Sequence, residues 1–121
     1  MAPLIGPSSL LLALMASGLN GQRFAFQGYL PAKDAERVKA LREIEIESRK
    51  RGQTQIFIET PYRNRQLFDS ILQTCQPGTR IAVATDLSLP GESVRTRTVL
   101  QWKKETPPEI ERHPTVFLLL A

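Results

Sequence analysis

Three short stretches bring together residue types that can do chemistry. "GPSS" (Gly6 to Ser9) sets two hydroxyls where an extended segment turns into a helix. Backbone N–H groups at such a junction can hold a carboxylate or a phosphate. "ETPYR" (Glu59 to Arg63) places a carboxylate where an apolar run surfaces, with a guanidinium shortly after it. "ATDLSLPGE" (Ala84 to Glu92) adds Asp86 and Glu92 around a Pro90-Gly91 loop. Glu59, Asp86 and Glu92 could each take a proton as a general base. Each could equally cap a turn or form a structural ion pair, and the turn at Gly6 could be no more than a capped helix start. The glycines of a P-loop or of a dinucleotide fingerprint are absent.

Other chemistries are excluded more firmly. Cys75 is the only cysteine and His113 the only histidine. An internal disulfide is impossible, and a reducing, cytoplasmic setting is expected. One cysteine and one histidine do not make a zinc site of common type. A Cys-His nucleophile pair is disfavoured because Cys75 falls on an apolar helical stripe. The net charge of +4 suits contact with phosphate but does not by itself select a nucleic acid. An apolar fraction of 41% with 23% charged residues is ordinary for a soluble domain. No stretch reaches the roughly 20 apolar residues of a membrane span. The leucine-rich run from Leu10 to Met15 is not read as a secretion signal, because Met1 to Ser9 carry no side-chain charge and include two prolines.

The elements that must position these residues follow from pattern. The length, 121 residues, supports one domain with a core. A helix is expected from Ser8, as its cap, to Gly18, with no polar face and so needing cover on every side. Phe24 and Phe26 alternate in a half-buried strand that bends near Gly28. A helix spans Asp34, as cap, to Arg51, with Gly52 as its stop, an inner stripe of Ala35, Val38, Leu41 and Ile44, and a charged solvated face. Ile56 to Ile58 form a short buried strand. Thr60 then caps a helix with Pro61 at its first position, Arg63 one turn in, and Leu67, Phe68, Ile71, Leu72 and Cys75 as its buried face. "RIAVATDL" is a buried strand. "VRTRTV" is an edge strand with Arg95 and Arg97 exposed, Thr98 to Lys104 form a short helical turn, and "TVFLLLA" closes the sheet. The sum is an α/β domain, about five strands in a mixed sheet flanked by helices. "PLIG" reads as the tail of a strand whose start is missing, so residues 1–121 are expected to be an excised C-terminal domain.

Taken in order, these pieces resemble the C-terminal domain of the tetrapyrrole-methylase-like (class III) S-adenosylmethionine methyltransferases, most closely the ribosomal RNA small subunit methyltransferase I branch. The matching motifs are the turn Gly6 to Ser9, the helix end Ala16 to Leu19, the Phe-x-Phe-x-Gly-Tyr-Leu-Pro run Phe24 to Pro31, and the junction Glu59 to Arg63. The resemblance implies a two-domain enzyme with S-adenosylmethionine in the cleft between domains. The glycine-rich loop and Asp-Ala-Gly-Thr-Pro-type motif of the family's N-terminal domain are not found here. Carried over by position, Ser8, Ser9, Ile58, Ala84, Thr115 and Val116 would line the cofactor. Arg63 and Arg65 would meet the substrate, and Arg23, Arg95 and Arg97 could follow phosphates with them. Ribose 2′-O-methylation of small-subunit ribosomal RNA is the activity implied, with the base open among Glu59, Asp86 and Glu92 or supplied from elsewhere. The sequence departs from the branch after Ala84, where Thr85-Asp86-Leu87-Ser88-Leu89 replaces a typical Arg-Glu-Leu-Thr-Lys. That leaves a tetrapyrrole or another small molecule as an alternative acceptor, and a non-enzymatic interaction domain as an alternative role. A homodimer working away from membranes is also implied.

Overall fold

The computed structural model describes residues 24–59, 63–85, 93–105, 110 and 115–121. The expected helix from Ser8 to Gly18, the cap Thr60 with Pro61, and the loop from Asp86 to Glu92 lie outside the described residues. Five strands and three helices are described: β1 (Phe24–Tyr29), α1 (Asp34–Arg51), β2 (Thr54–Ile58), α2 (Asn64–Thr74), β3 (Arg80–Thr85), β4 (Ser93–Thr98), α3 (Val99–Lys104) and β5 (Thr115–Leu120).

The strands form one mixed sheet in the order β1-β2-β5-β3-β4. β1 and β2 are parallel, while β5 runs antiparallel to both β2 and β3, and β4 is antiparallel to β3. The composition of each strand explains its place. Every residue of β5 is buried, as "TVFLLL" requires, and β5 sits at the centre. β4 alternates valine or threonine with arginine and takes an edge. Near the end of β1 the register slips between Phe26 and Gly28, and Gly28 has a φ of 72°. A bulge of this kind needs a residue without a Cβ penalty at positive φ.

The two sheet faces differ. Phe57, Ile81, Val83, Phe117 and Leu119 face the helices and pack with Leu41 and Ile44 of α1, Leu67, Phe68 and Ile71 of α2, and Val99 and Trp102 of α3. Phe57 and Phe117 stack across neighbouring strands, ring centroids 5.9 Å apart. Burying each such ring contributes roughly 1.5–3 kcal/mol. The other face gathers Ile56, Ala82, Ala84, Val116, Leu118 and Leu120 into a second buried cluster, to which none of the described helices contributes.

The helices correct the sequence reading in detail. Lys33, not Asp34, is the N-cap of α1; Asp34 is the first helical residue, and its carboxylate pairs with Arg37. The inner face of α1 is Arg37, Leu41, Ile44, Glu45 and Ser48, whereas Ala35 is exposed and Val38 half-buried. Two charged residues thus lie inside, because each finds polar partners across the helix layer. The Arg37 guanidinium donates to Ser70 Oγ and to the Ala32 carbonyl, both at 2.9 Å. Glu45 Oε2 accepts from the Gln76 N–H at 2.7 Å and from the Thr79 hydroxyl. α1 ends at Gly52, as expected, with φ 58° and its N–H on the Ser48 carbonyl. α3 has only six residues and depends on a reciprocal cap: Thr98 Oγ1 accepts from the Gln101 N–H, and Gln101 Oε1 accepts from the Thr98 N–H.

Candidate cofactor and substrate site

The C-terminal ends of β1, β2 and β3 and the N-terminal ends of β4 and β5 share one end of the sheet. Loops leaving parallel strands at such an end are where α/β sheets hold ligands. The register there is specific. Ile58 pairs with Val116, Val116 with Ala84, and Ala84 with Val94, so these four residues form one row across β2, β5, β3 and β4. Three of the expected cofactor residues, distant in sequence, are neighbours in this row, and Thr115 follows beside Thr85.

Exposure separates them. Ala84, Thr115 and Val116 are buried, whereas Ile58 is half-buried. Ile58 and Val94 are therefore the row's two open apolar ends, with Ala84 and Val116 as the floor between them, while Thr115, next to Val116 on β5, turns its hydroxyl to the opposite, helix-covered face. Ser8 and Ser9 lie outside the described residues, as do Asp86 and Glu92. Of the three carboxylates considered as bases, Glu59 is the one described; it continues β2 directly beyond Ile58 and is only 6% exposed.

Arg63 and Arg65 enter α2 at the same end. Arg63 is the N-cap residue of α2, not a residue one turn inside it, because the helix starts at Asn64. Arg65 is half-buried, its guanidinium 6.0 Å from the centroid of the Phe68 ring. Arg23 lies outside the described residues. Arg95 and Arg97 are on β4, half-buried and not exposed as the edge-strand pattern suggested. Arg95 lies over the Trp102 ring at 5.2 Å, and Arg97 faces Glu105 at 3.4 Å. Both guanidiniums turn toward α3 and its C-cap, where the Trp102 ring and the Glu105 carboxylate hold them.

Sequence reasoning missed Asn64. Its side chain is fully buried, and its Nδ2 donates to the Ile110 carbonyl at 2.9 Å and to Thr115 Oγ1 at 3.0 Å. One amide thereby ties the start of α2 to the start of β5, the two segments that carry Arg63, Arg65, Thr115 and Val116. A signal was present: Asn64 is the polar member of a helical stripe with Leu67, Phe68 and Ile71. Cys75, by contrast, is no nucleophile. Burial, reinforced by the nearby Glu45 carboxylate, pushes its thiol up to about 12, and a thiol this far from ionisation is inert near neutrality.

The chain has relatives among known proteins, in sequence and in fold. The chain is 34% identical over 108 residues to a ribosomal RNA small subunit methyltransferase I of Escherichia coli O157:H7, covering 87% of this chain and 36% of the relative. A protein of the same name from Buchnera aphidicola subsp. Baizongia pistaciae is 33% identical over the same length. Among solved structures, the cobalt precorrin-4 methyltransferase CbiF superposes with a TM-score of 0.58 at 12% identity, over 93% of this chain and 48% of that one. The methyltransferase CobJ gives a TM-score of 0.57 at 17% identity, over 92% and 46%. The chain's curated relatives carry the name ribosomal RNA small subunit methyltransferase I, and the solved structures it superposes on are methyltransferases that share its fold. The chain spans roughly a third to a half of the length of these relatives. No protein-family model matches it. The fold expected from the sequence, a mixed sheet of about five strands flanked by helices, is thus the fold observed.

Proposed function

We propose that this chain is the C-terminal, cofactor- and substrate-cleft half of an S-adenosylmethionine-dependent methyltransferase that methylates a ribose 2′-hydroxyl of small-subunit ribosomal RNA. The observation that carries the reading is the row Ile58, Val116 and Ala84, which juxtaposes residues that the family resemblance, carried over by position, assigns to the cofactor from three separate parts of the sequence. The names of the relatives support the RNA acceptor. No described helix is long and apolar enough to cross a membrane, and work on ribosomal RNA in the cytoplasm, as a homodimer, is part of the same proposal.

In this reading Ile58 meets the adenosyl group, Ala84 and Val116 form the apolar wall behind it, Thr115 borders that wall at the start of β5, and Ser8 and Ser9 add hydroxyls from the first turn. Such a pocket is mostly apolar with a few directed polar groups. S-adenosylmethionine supplies the electrophilic methyl. The protein's part is to hold the acceptor oxygen in line with it and to exclude water. Glu59, which continues β2 beyond Ile58, and Asp86 and Glu92 are the carboxylates of this chain proposed to take the hydroxyl proton. Arg63 and Arg65 would hold the backbone of the acceptor strand.

The test is methyl transfer from labelled S-adenosylmethionine to deproteinised small-subunit ribosomal RNA, by the protein expressed from its complete reading frame. Nuclease digestion should release a 2′-O-methylnucleoside. Label in a base, or label transferred only to an added tetrapyrrole, would sink the ribose assignment.

A further inference from the structure

A second feature lies beside the site and takes no part in holding the cofactor. Between Ser93 and Glu105 the chain carries four cations, Arg95, Arg97, Lys103 and Lys104, against one carboxylate, Glu105. β4 is an edge strand and α3 follows it directly, so the four share one border of the domain. Glu105 faces Arg97 at 3.4 Å. Among the described residues, no carboxylate forms an ion pair with Arg95, Lys103 or Lys104.

Arg95 is held by a ring instead. Its guanidinium lies 5.2 Å from the Trp102 centroid. That ring is fixed twice over: Trp102 Nε1 donates to the Ile81 carbonyl at 2.9 Å, and Phe68 meets it edge-on, centroids 5.3 Å apart at 90°. Phe68 in turn underlies Arg65. Two guanidiniums, one on α2 beside the candidate site and one on β4, are therefore set on a single aromatic pair. A ring face beneath a guanidinium fixes its position and does not use up its N–H groups, so Arg95, held over Trp102, can still donate to an anion. Little freedom is then lost when a phosphate binds. Arginine set in this way suits the planar, two-point recognition of a phosphodiester.

We infer that Arg95, Lys103 and Lys104, continuing from Arg65, form a track for the phosphate backbone of a single-stranded RNA segment, running from the candidate site along β4 and α3. The choice of RNA over another polyanion rests on the function proposed above; the track itself rests on the geometry of Arg65, Phe68, Trp102 and Arg95.

The experiment is RNA binding by fluorescence anisotropy, without S-adenosylmethionine, across a range of salt concentrations, using a single-stranded oligonucleotide. Each lost phosphate contact should lower the slope of log affinity against log salt by about 0.7. Arg95→Gln should lower it by about that amount, and Lys103→Gln with Lys104→Gln by about twice as much. Arg95→Lys should restore the slope without restoring full affinity, because an ammonium does not stack. Lys39→Gln, at an exposed position of α1 with α2 between it and the track, should change nothing. Equal slopes for wild type, Arg95→Gln and the lysine pair would overturn the track, as would an equal loss for Lys39→Gln. Tighter, Arg95-dependent binding of a polyglutamate peptide would reassign the surface to an acidic protein and overturn RNA. A protein that binds RNA through these residues but transfers no methyl would sink only the enzymatic reading. A methylating protein with unchanged slopes would sink only this one.

Discussion

Asn64 Nδ2 donates to Thr115 Oγ1 at 3.0 Å, joining residues 51 positions apart in the chain. The same nitrogen donates to the Ile110 carbonyl. Both ends of the contact are buried, so a protein partner replaces water on each side. The bond sets the first residue of α2 against the first residue of β5, and the geometry of the candidate site depends on how those two segments meet.

Removing Asn64 should therefore cost stability and couple to Thr115. Asn64→Ala leaves buried acceptors without their donor, an expected loss of about 1–3 kcal/mol. Thr115→Val should cost less in the Asn64→Ala background than in wild type. Urea unfolding of the four proteins in a double-mutant cycle measures the coupling. Strictly additive losses would show that the contact contributes nothing to the native state.

A second expectation concerns alkaline pH. The Cys75 thiol ordinarily ionises near 9.0, and the folded protein raises it to about 12. Between these values the unfolded chain has released a proton that the folded chain keeps, so this group's contribution falls as pH rises, by up to about 1.4 kcal/mol per pH unit. Below pH 9 the contribution is complete. Cys75→Ala loses packing at every pH but should lose this slope. Its stability gap from wild type should therefore narrow between pH 9 and 11. A gap independent of pH would contradict the buried, protonated thiol.

Gly52 offers a backbone test. Its φ of 58° is left-handed, and no atom stands within 4 Å of where a Cβ would lie. Strain alone should decide the outcome. Gly52→Ala is expected to lower stability by about 1–2 kcal/mol, and Gly52→Asn by less, since asparagine tolerates this region better. Thermal unfolding of both variants reads the difference. A neutral Gly52→Ala would show that α1 ends differently in solution.

Much of this architecture was legible in the sequence, for identifiable reasons. The apolar run Thr115 to Leu120 could only be a strand buried on both faces, and the stripe Leu67, Phe68, Ile71 could only face a core. Gly52 marked a helix end because few other residues tolerate its φ. Periodicity did not show Arg37 and Glu45 as interior residues. Charged side chains on a helix ordinarily face water, and these two are reversed by partners on Ser70, Ala32, Gln76 and Thr79 that no local pattern contains. Arg95 and Arg97 read as exposed for the same reason, since the Trp102 ring and Glu105 that hold them come from the next element. The candidate site is a matter of register. Ile58, Val116 and Ala84 become neighbours because the last strand inserts antiparallel between β2 and β3. Alternation within one strand carries no information about that insertion, and the motifs, taken as a set, were the only pointer to it.

The row at the end of the sheet is proposed above as part of a site for S-adenosylmethionine. The most direct measurement is calorimetric titration of S-adenosylmethionine into the protein expressed from its complete reading frame, wild type beside Ile58→Asp. Saturable one-site binding to wild type is expected, and a loss of at least about tenfold, roughly 1.4 kcal/mol, when a carboxylate replaces this open apolar residue of the row while the fold is retained by circular dichroism. No heat of binding with the folded wild-type protein, or equal affinity in the two proteins, would contradict it.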